Sequence, residues 1–235
     1  MTYILGAKCK DGVVLVGDRK LTTLDGSLVG YVDKIFHLPP IVVGGSGVSG
    51  LFEKFQTKVT HYVQANFAPN QPIPVDPFIE AIERIVGGLN FTYGDSVGRV
   101  AVLVGMQTSH GSLLQYILPS SPMGMAETVR EYKSIGHGIP YASLLLNMLW
   151  RRDLTMQDVA NIGYFIVKSF EKYPQMDNTV GVDDERPQVW FIPNDNVNQA
   201  IVERKDLDTL DSTTARKLDL CKAKLEEIFG LLPPA

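Results

Sequence analysis

The order of the periodic segments along this chain restricts the possible folds more than any other property of its sequence. Residues 3–9 and 13–18 are rich in β-forming residues and are joined through Asp11-Gly12, which predicts an antiparallel hairpin. Further strand-like runs follow, and pairs of segments with apolar residues at helical spacing separate them. Runs of strands that alternate with pairs of helices favour a layered α+β fold over strict strand–helix–strand winding.

The predicted elements cover most of the chain. We predict strands at residues 3–9, 13–18, 31–38, 41–43, 100–106, 113–118, 131–135 and 189–192, and helices at residues 51–63, 78–89, 140–150, 155–170 and 218–229. Pro39-Pro40 ends the third strand, and residues 119–126 are predicted to form an irregular connection. Thr155 and Asp158 have the spacing of a helix-capping pair.

The charge balance and the apolar runs exclude several classes of protein. With 22 basic and 26 acidic residues, the net charge of −4 argues against binding to nucleic acid or to an anionic membrane surface. The densest apolar stretch, residues 141–150, is shorter than the ~18 residues that span a bilayer. No basic segment precedes an apolar run near the N-terminus, so we expect a cytoplasmic protein. Cys9 and Cys221 are too few for a disulfide framework, and we expect no metal and no cofactor.

A glycine-rich segment, residues 45–50, fits the Gly-x-Gly-x-x-Gly pattern of dinucleotide-binding proteins and lies between a predicted strand and a predicted helix. Such a fold also requires a second strand that ends in an acidic residue about 20 positions later. The helix after these glycines instead continues into the Pro-containing segment 66–74, and several strands precede the motif. The sequence therefore does not predict a nucleotide site here.

Thr2 carries the chemistry of a self-contained nucleophile if Met1 is removed. Its hydroxyl group would then share one residue with a free α-amine, whose ordinary pKa of ~8 leaves a useful neutral fraction near pH 7. Such a site also needs a fixed positive charge, an acid that holds this charge, and a donor for the oxyanion. A threonine at position two is common in proteins, so Thr2 by itself does not identify the site.

The surrounding sequence resembles the opening of proteasome β subunits and related N-terminal-nucleophile hydrolases. In that family a threonine begins a strand, and Lys-Asp-Gly-Val-Val-Leu and Asp-Arg follow, as in residues 10–15 and 18–19 here. Asp18 and Lys34 lie 16 and 32 residues after Thr2, at the spacing of the family's catalytic aspartate and lysine. Gly47 aligns with the family's oxyanion glycine, if one residue is deleted near position 39. The resemblance covers residues 2–192 and is strongest in the first fifty.

The resemblance implies an α+β fold, a four-layer αββα sandwich, for residues 1–195. Residues 196–235 are expected to form a C-terminal extension that ends in an amphipathic helix. The family also implies a peptide or unfolded protein as substrate, a ring-forming oligomer and a possible partner ATPase. Asp206, Asp208 and Asp211 lack the glycine and the closing glutamate of a calcium loop, so we interpret them as a capping and solvated acidic segment before the helix at residues 218–229.

The same resemblance implies a role for each aligned residue. Thr2 would attack a peptide carbonyl and form an ester, Lys34 would supply the positive charge, and Asp18 would hold Lys34 in place. The Gly47 N–H would stabilise the oxyanion, and Asp177 aligns with a further aspartate of the family's site. Taken singly, Asp18 has an alternative explanation as a surface turn residue, Lys34 as an exposed strand lysine, and Gly47 as a helix-entry glycine.

Two departures from the family pattern leave alternatives open. His137 and Val180 stand where the family has serines that support the α-amine of the nucleophile, and valine offers no side-chain hydrogen bond. A non-catalytic ring or scaffold subunit and an amide-transferring relative therefore remain beside the threonine peptidase. The retained Thr2, Asp18, Lys34 and Asp177 favour the enzyme.

Two aligned positions concern the preference for substrates. Gly45 aligns with the floor of the family's primary side-chain pocket, and a glycine there is expected to leave the pocket deep. Glu53 aligns near the end of that pocket, where an acid would favour a basic substrate side chain. The alternative is that Glu53 is a solvated acid in the first turn of a helix, stabilised by the helix dipole.

Overall fold

The computed structural model describes residues 2–22, 27–67, 73–97, 99–119, 124–172, 180–181, 186–195, 201–203 and 207–228 of the 235-residue chain. Within these residues the strands are β1 (Tyr3–Lys8), β2 (Gly12–Gly17), β3 (Lys20–Thr22), β4 (Leu28–Tyr31), β5 (Ile35–Leu38), β6 (Ile41–Ser46), β7 (Ala101–Thr108), β8 (Gly111–Leu118), β9 (Met125–Thr128), β10 (Tyr132–Gly136), β11 (Gln188–Pro193) and β12 (Val202–Glu203). The helices are α1 (Ser49–Asn66), α2 (Val75–Val97), α3 (Ile139–Leu149), α4 (Met156–Lys172) and α5 (Asp208–Ile228).

The strands form two five-stranded antiparallel sheets and one short ribbon. The first sheet has the order β10-β1-β2-β11-β12, and the second has the order β5-β6-β7-β8-β9. The ribbon consists of β3 and β4 and lies in the chain between the two sheets. The predicted hairpin of β1 and β2 lies in the middle of the first sheet, with Ala7 opposite Val14.

Alternation along the strands builds four layers. Successive side chains of a strand point to opposite faces of the sheet. Ile4 and Leu15 therefore join the buried cluster between the two sheets, whereas Tyr3, Leu5 and Val14 pack against α3 and α4. The outer face of the second sheet packs in the same way against α1 and α2. The result is the α–β–β–α sandwich that the resemblance to proteasome β subunits implies.

The structure corrects the prediction of a single strand at residues 31–38. The chain leaves the ribbon after Tyr31 and joins the second sheet only at Ile35. Contacts of Arg19 turn the chain between them, since its carbonyl accepts a hydrogen bond from Val32 N–H at 2.9 Å and its guanidinium pairs with Asp33 at 2.5 Å. This turn separates Lys34 from both strands.

Four short strands were not predicted, namely β3 and β4 of the ribbon and the edge strands β9 and β12. β9 begins inside the segment 119–126 that was predicted to be irregular, and most of its residues are exposed, so it lacks an apolar alternation. β12 has only two residues and pairs with β11 through Trp190 opposite Glu203. An edge strand forms hydrogen bonds with one neighbour and needs little apolar surface, so pattern alone does not reveal it.

The C-terminal segment packs against the first sheet and its helices. α5 begins at Asp208, ten residues before the predicted start, and contacts α4. Leu207 and Leu210 join the core beside α4, and the Tyr164 hydroxyl donates a hydrogen bond to Asp211. Asp208 and Asp211 lie in the first turn of α5, where acids interact favourably with the helix dipole. The domain boundary at residue 195 stays a prediction.

Among the described residues, no helix combines the length and the apolar character that a membrane crossing requires.

Thr155 and Asp158 form the predicted capping pair at the start of α4. The Thr155 N–H donates to the Asp158 carboxylate at 3.0 Å, and the Asp158 N–H donates to the Thr155 hydroxyl at 3.2 Å. These bonds satisfy donors that a helix start leaves without intrahelical partners.

Candidate active site

Asp18 and Lys34 form a buried ion pair where the two sheets meet. Asp18 directly follows β2 of the first sheet, and Lys34 directly precedes β5 of the second. Lys34 Nζ lies 2.9 Å from Asp18 Oδ1 and 2.8 Å from Oδ2, so the ammonium bridges both carboxylate oxygens. Asp18 is 0% exposed and Lys34 3% exposed. The explanations of Asp18 as a surface turn and of Lys34 as an exposed lysine are therefore wrong.

The ion pair is attached to the residue that follows Thr2. Asp18 Oδ1 accepts a hydrogen bond from the Tyr3 N–H at 2.7 Å, and the Asp18 N–H donates to the Tyr3 carbonyl at 3.0 Å. Thr2 itself is buried. The β1–β2 hairpin thus brings Thr2 beside the charges, although these residues are far apart in sequence.

Burial and mutual attraction shift the pKa values of this pair in opposite directions. Desolvation lowers the pKa of the Lys34 ammonium and raises the pKa of the Asp18 carboxyl, and the attraction between the two groups opposes both shifts. Strongly perturbed pairs of this kind are concentrated at functional sites.

The backbone of Thr2 is in close contact with the end of β10. The His137 N–H donates to the Thr2 carbonyl at 2.6 Å. Gly136 has φ +97°, and a Cβ atom on it would lie 1.8 Å from the Thr2 carbonyl oxygen. Only glycine fits there, because any side chain would displace Thr2. The His137 side chain is exposed, so residue 137 contacts Thr2 through its backbone.

The segment between β6 and α1 reaches the same point. Ser46 ends β6, and its Oγ lies 3.1 Å from the position that a Cβ on Gly136 would occupy, beside the Thr2 carbonyl. Gly47 follows Ser46 directly and lies ahead of α1. In the sequence, Ser46 is one residue of a glycine-rich motif, and no pattern there marks its hydroxyl group. A serine hydroxyl therefore lies near Thr2, although the serines expected at 137 and 180 are absent.

Residues 180 and 181 attach to the ion pair from the other side. Val180 is buried in the core that faces α4. The Gly181 N–H donates to Asp18 Oδ2 at 3.4 Å, and the Gly181 carbonyl accepts from the Lys20 N–H at 3.0 Å. Asp177 lies outside the described residues, so its predicted role stays a prediction.

Comparison with known proteins identifies the family. The sequence profile of the family described as "Proteasome subunit" matches residues 2–178, about three quarters of the chain. This chain belongs to the proteasome subunit family.

Known relatives of this proteasome-family subunit are distant in sequence. Proteasome subunit beta 1 of Pyrobaculum aerophilum is 24% identical over 176 residues, which cover 72% of this chain and 81% of that protein. The structure of Anbu (ancestral beta-subunit) from Yersinia bercovieri matches with a TM-score of 0.72 at 14% identity over 99% of both chains. A Gly-1 mutant of Anbu from Hyphomicrobium sp. strain MC1 also gives 0.72, at 13% identity over 100% of this chain and 99% of that one. These structures confirm the fold.

The space beside Gly45 of this proteasome-family subunit is filled. The Gly45 N–H donates to the Lys34 carbonyl at 3.1 Å, so Gly45 lies next to the ion pair. A Cβ on Gly45 would lie 1.9 Å from the ring of Phe52, which is buried and stacks against Phe55. An aromatic ring from α1 thus occupies the volume that a side chain at residue 45 would take, which argues against a deep pocket there, and the role of Gly45 in substrate binding stays a prediction.

Glu53 lies on the solvent side of α1. It is exposed, and it is the fifth residue of the helix, so it lies beyond the first turn. The dipole that stabilises an acid acts mainly within the first turn. This geometry favours a solvated surface acid, and a role for Glu53 in substrate binding stays a prediction.

Proposed function

We propose that this proteasome-family subunit is a threonine peptidase that cleaves peptide bonds through an ester at Thr2 after removal of Met1. The observation that carries the proposal is the buried Asp18–Lys34 pair bonded to the residue after Thr2. A buried ion pair is weak evidence for stability, since apolar side chains of similar volume often stabilise a core as well or better. A charge pair beside the predicted nucleophile therefore favours a catalytic role over a structural one.

The proposed reaction uses the groups of this chain in two steps. Thr2 Oγ attacks the peptide carbonyl while its proton passes, through a water molecule, to the Thr2 amine. The positive charge of Lys34 favours the alkoxide, and the Gly47 N–H binds the oxyanion. The C–N bond then breaks, and the amine returns the proton to the leaving amino group. Water next hydrolyses the ester, which releases the acid and restores the hydroxyl group. Asp177 is proposed to support the amine.

Covalent labelling tests this proposal directly. Intact mass should show a chain without Met1, and an epoxyketone or a β-lactone should add one equivalent at Thr2. Thr2→Ala should abolish the adduct, whereas Thr214→Ala, at a buried threonine of α5, should leave it unchanged. A chain that keeps Met1 and forms no adduct would contradict the peptidase proposal.

The competing proposal is a non-catalytic ring subunit. It is favoured by the exposed His137 side chain and by Val180 in the apolar core, because neither residue offers the Thr2 amine the hydroxyl that the family places there. The same labelling experiment separates the two functions. If an adduct forms, the masses of peptide products made with and without an added amine distinguish hydrolysis from amide transfer.

We also infer the partners from the family. The substrate would be a peptide or an unfolded protein, the subunit would assemble into an oligomeric ring, and an ATPase would deliver chains to it. Size-exclusion chromatography with light scattering measures the assembly. A monomer at all concentrations would contradict the ring.

The ring of Phe52 predicts a preference for small side chains at the cleavage site. We expect cleavage after alanine or serine to exceed cleavage after leucine or phenylalanine. Phe52→Leu should raise kcat/KM for the bulky substrates by about tenfold, the scale that one or two methylene groups set in an apolar pocket. Phe55→Leu is the matched control, because Phe55 stacks on Phe52 within the same core. Equal preferences in both variants would show that Phe52 does not limit the pocket.

A further inference from the structure

Gln188 holds the backbone that carries Lys34. Gln188 is the first residue of β11 and is 2% exposed. Its Oε1 accepts hydrogen bonds from the backbone N–H of Lys34 at 2.8 Å and of Ile35 at 3.0 Å. Its Nε2 donates to the Ile35 carbonyl at 2.9 Å. One side-chain amide therefore pairs with three backbone groups of two consecutive residues.

Gln188 connects the backbone segments that carry Asp18 and Lys34. In the first sheet its backbone lies opposite Gly17, the residue before Asp18. Its side chain reaches across to the start of β5 in the second sheet. Ladder hydrogen bonds connect strands only within each of these sheets. The side chain of Gln188 thus links the backbone beside Asp18 to the backbone of Lys34.

The backbone of Lys34 lies outside the paired strands. It precedes β5, whose pairing with β6 begins at Ile35 opposite Gly44. Its carbonyl accepts from the Gly45 N–H, and its N–H donates to Gln188. Without Gln188, the N–H groups of Lys34 and Ile35 would lose these buried partners, which is costly enough to move the local backbone.

We propose that Gln188 is a positioning residue that keeps the Lys34 ammonium against Asp18 and beside Thr2. Its effect on catalysis rests on the threonine peptidase proposed above, whereas its effect on Lys34 does not. The residue acts through Lys34 and contacts no reacting atom in this mechanism. The reaction rate should therefore depend on it more than the binding of substrate does.

The first test is Gln188→Met, which keeps the volume of the side chain and removes all three hydrogen bonds. We expect the maximal rate of Thr2 labelling to fall by at least about tenfold, with little change in the probe concentration that gives half of that rate. Gln115→Met is the matched control. Gln115 is a buried glutamine of β8 whose Nε2 donates to Thr128 at the edge of the second sheet, so its loss should not affect labelling. Equal effects of the two substitutions would overturn the proposal.

The second measurement follows Lys34 itself by nuclear magnetic resonance of lysine side chains labelled with ¹³C at Cε. Burial lowers the pKa of Lys34. If Gln188→Met releases Lys34 from its buried position, the ammonium gains water, and its pKa should rise toward the ordinary lysine value of 10.5. An unchanged Lys34 titration in this variant would overturn the proposal. If wild-type Thr2 takes no label, the peptidase proposal falls, and this titration still decides the role of Gln188.

A conservative variant covers the case in which Gln188→Met does not fold. In Gln188→Glu, the protonated carboxyl accepts from both N–H groups and donates to the Ile35 carbonyl. Burial raises the pKa of such a carboxyl, whereas the Lys34 ammonium and the two N–H donors lower it. The labelling rate relative to wild type should fall as pH rises from about 5 to about 9, because ionisation removes the donor to the Ile35 carbonyl. A ratio that does not change with pH would overturn the proposal.

Discussion

Lys34→Met is expected to slow Thr2 labelling by about a hundredfold to a thousandfold, the usual cost of losing one preorganised electrostatic group. The substitution keeps the length of the side chain and removes the charge that favours the alkoxide. It also leaves Asp18 buried without its cation, which should lower the free energy of unfolding by about 3–5 kcal/mol. Labelling kinetics and urea unfolding measure the two effects separately.

The stability loss in Lys34→Met should depend on pH in a defined direction. Burial raises the folded-state pKa of Asp18 above its ordinary value of 3.8, and removal of Lys34 raises it further. Between these pKa values the unfolded chain releases a proton that the folded chain retains, so stability falls as pH rises. The variant should therefore be closer to wild type at about pH 4 than at about pH 7.5.

Two controls make the Lys34 result specific. Asp18→Asn combined with Lys34→Met should recover part of the stability without recovering labelling, because no buried charge is left. Lys8→Met removes a lysine at the far end of β1, whose Nζ donates to oxygens of Ser112 and Asn194. That variant should lose stability and keep its labelling rate. Normal labelling in Lys34→Met would remove Lys34 from the mechanism.

Gly136→Ala is expected to displace Thr2 and to reduce labelling by at least about a hundredfold, because small misplacements of reacting groups have effects of this size. The added Cβ would lie 1.8 Å from the Thr2 carbonyl oxygen, a distance that requires the backbone to move. The φ of +97° also strains any residue other than glycine. Together these effects should lower the free energy of unfolding by about 2–4 kcal/mol.

Two glycine controls separate strain from the clash with Thr2. Gly111 has a similar φ of +103°, but a Cβ there would come no closer than 3.5 Å to Asn194. Gly111→Ala should therefore lose stability and keep its labelling rate. Gly88 lies within α2 with open space around it, so Gly88→Ala should be neutral or stabilise by up to about 1 kcal/mol. A Gly136→Ala protein that labels like wild type would show that the end of β10 does not position Thr2.

The layered fold was predictable because runs of strands alternate along the chain with pairs of segments at helical spacing. Which strand face meets which layer was not predictable, since β1 and β2 are buried on both faces. The spacing of Thr2, Asp18 and Lys34 was recognised from the resemblance to proteasome β subunits. The break between β4 and β5 was not visible, because contacts of Arg19 from another segment produce it. α5 was placed too late because its first turns are polar, and only packing against α4 shows that they are helical.

The residue that fills the space beside Gly45 and the residue that supports the Asp18–Lys34 pair could not be predicted, because no sequence pattern distinguishes them from ordinary core residues. Phe52 has the spacing of an ordinary core residue of α1, and only the packing of the helix on β6 brings its ring into the space beside Gly45. Gln188 follows Lys34 by more than 150 positions, and a single buried glutamine has no sequence signature. Ser46 likewise comes near Thr2 only because the end of β6 lies near the end of β10.

The sequence by itself predicted the candidate nucleophile from residue type and the alternation of strands with helix pairs from local periodicity, and the family resemblance supplied its charged partners and the order of layers. Tertiary structure alone decided that Asp18 and Lys34 are buried together, that Phe52 fills the space at Gly45, and that Gln188 links the two sheets. Those features arise from contacts between segments distant in sequence. Such contacts depend on how the sheets and helices pack, and local periodicity does not predict that packing.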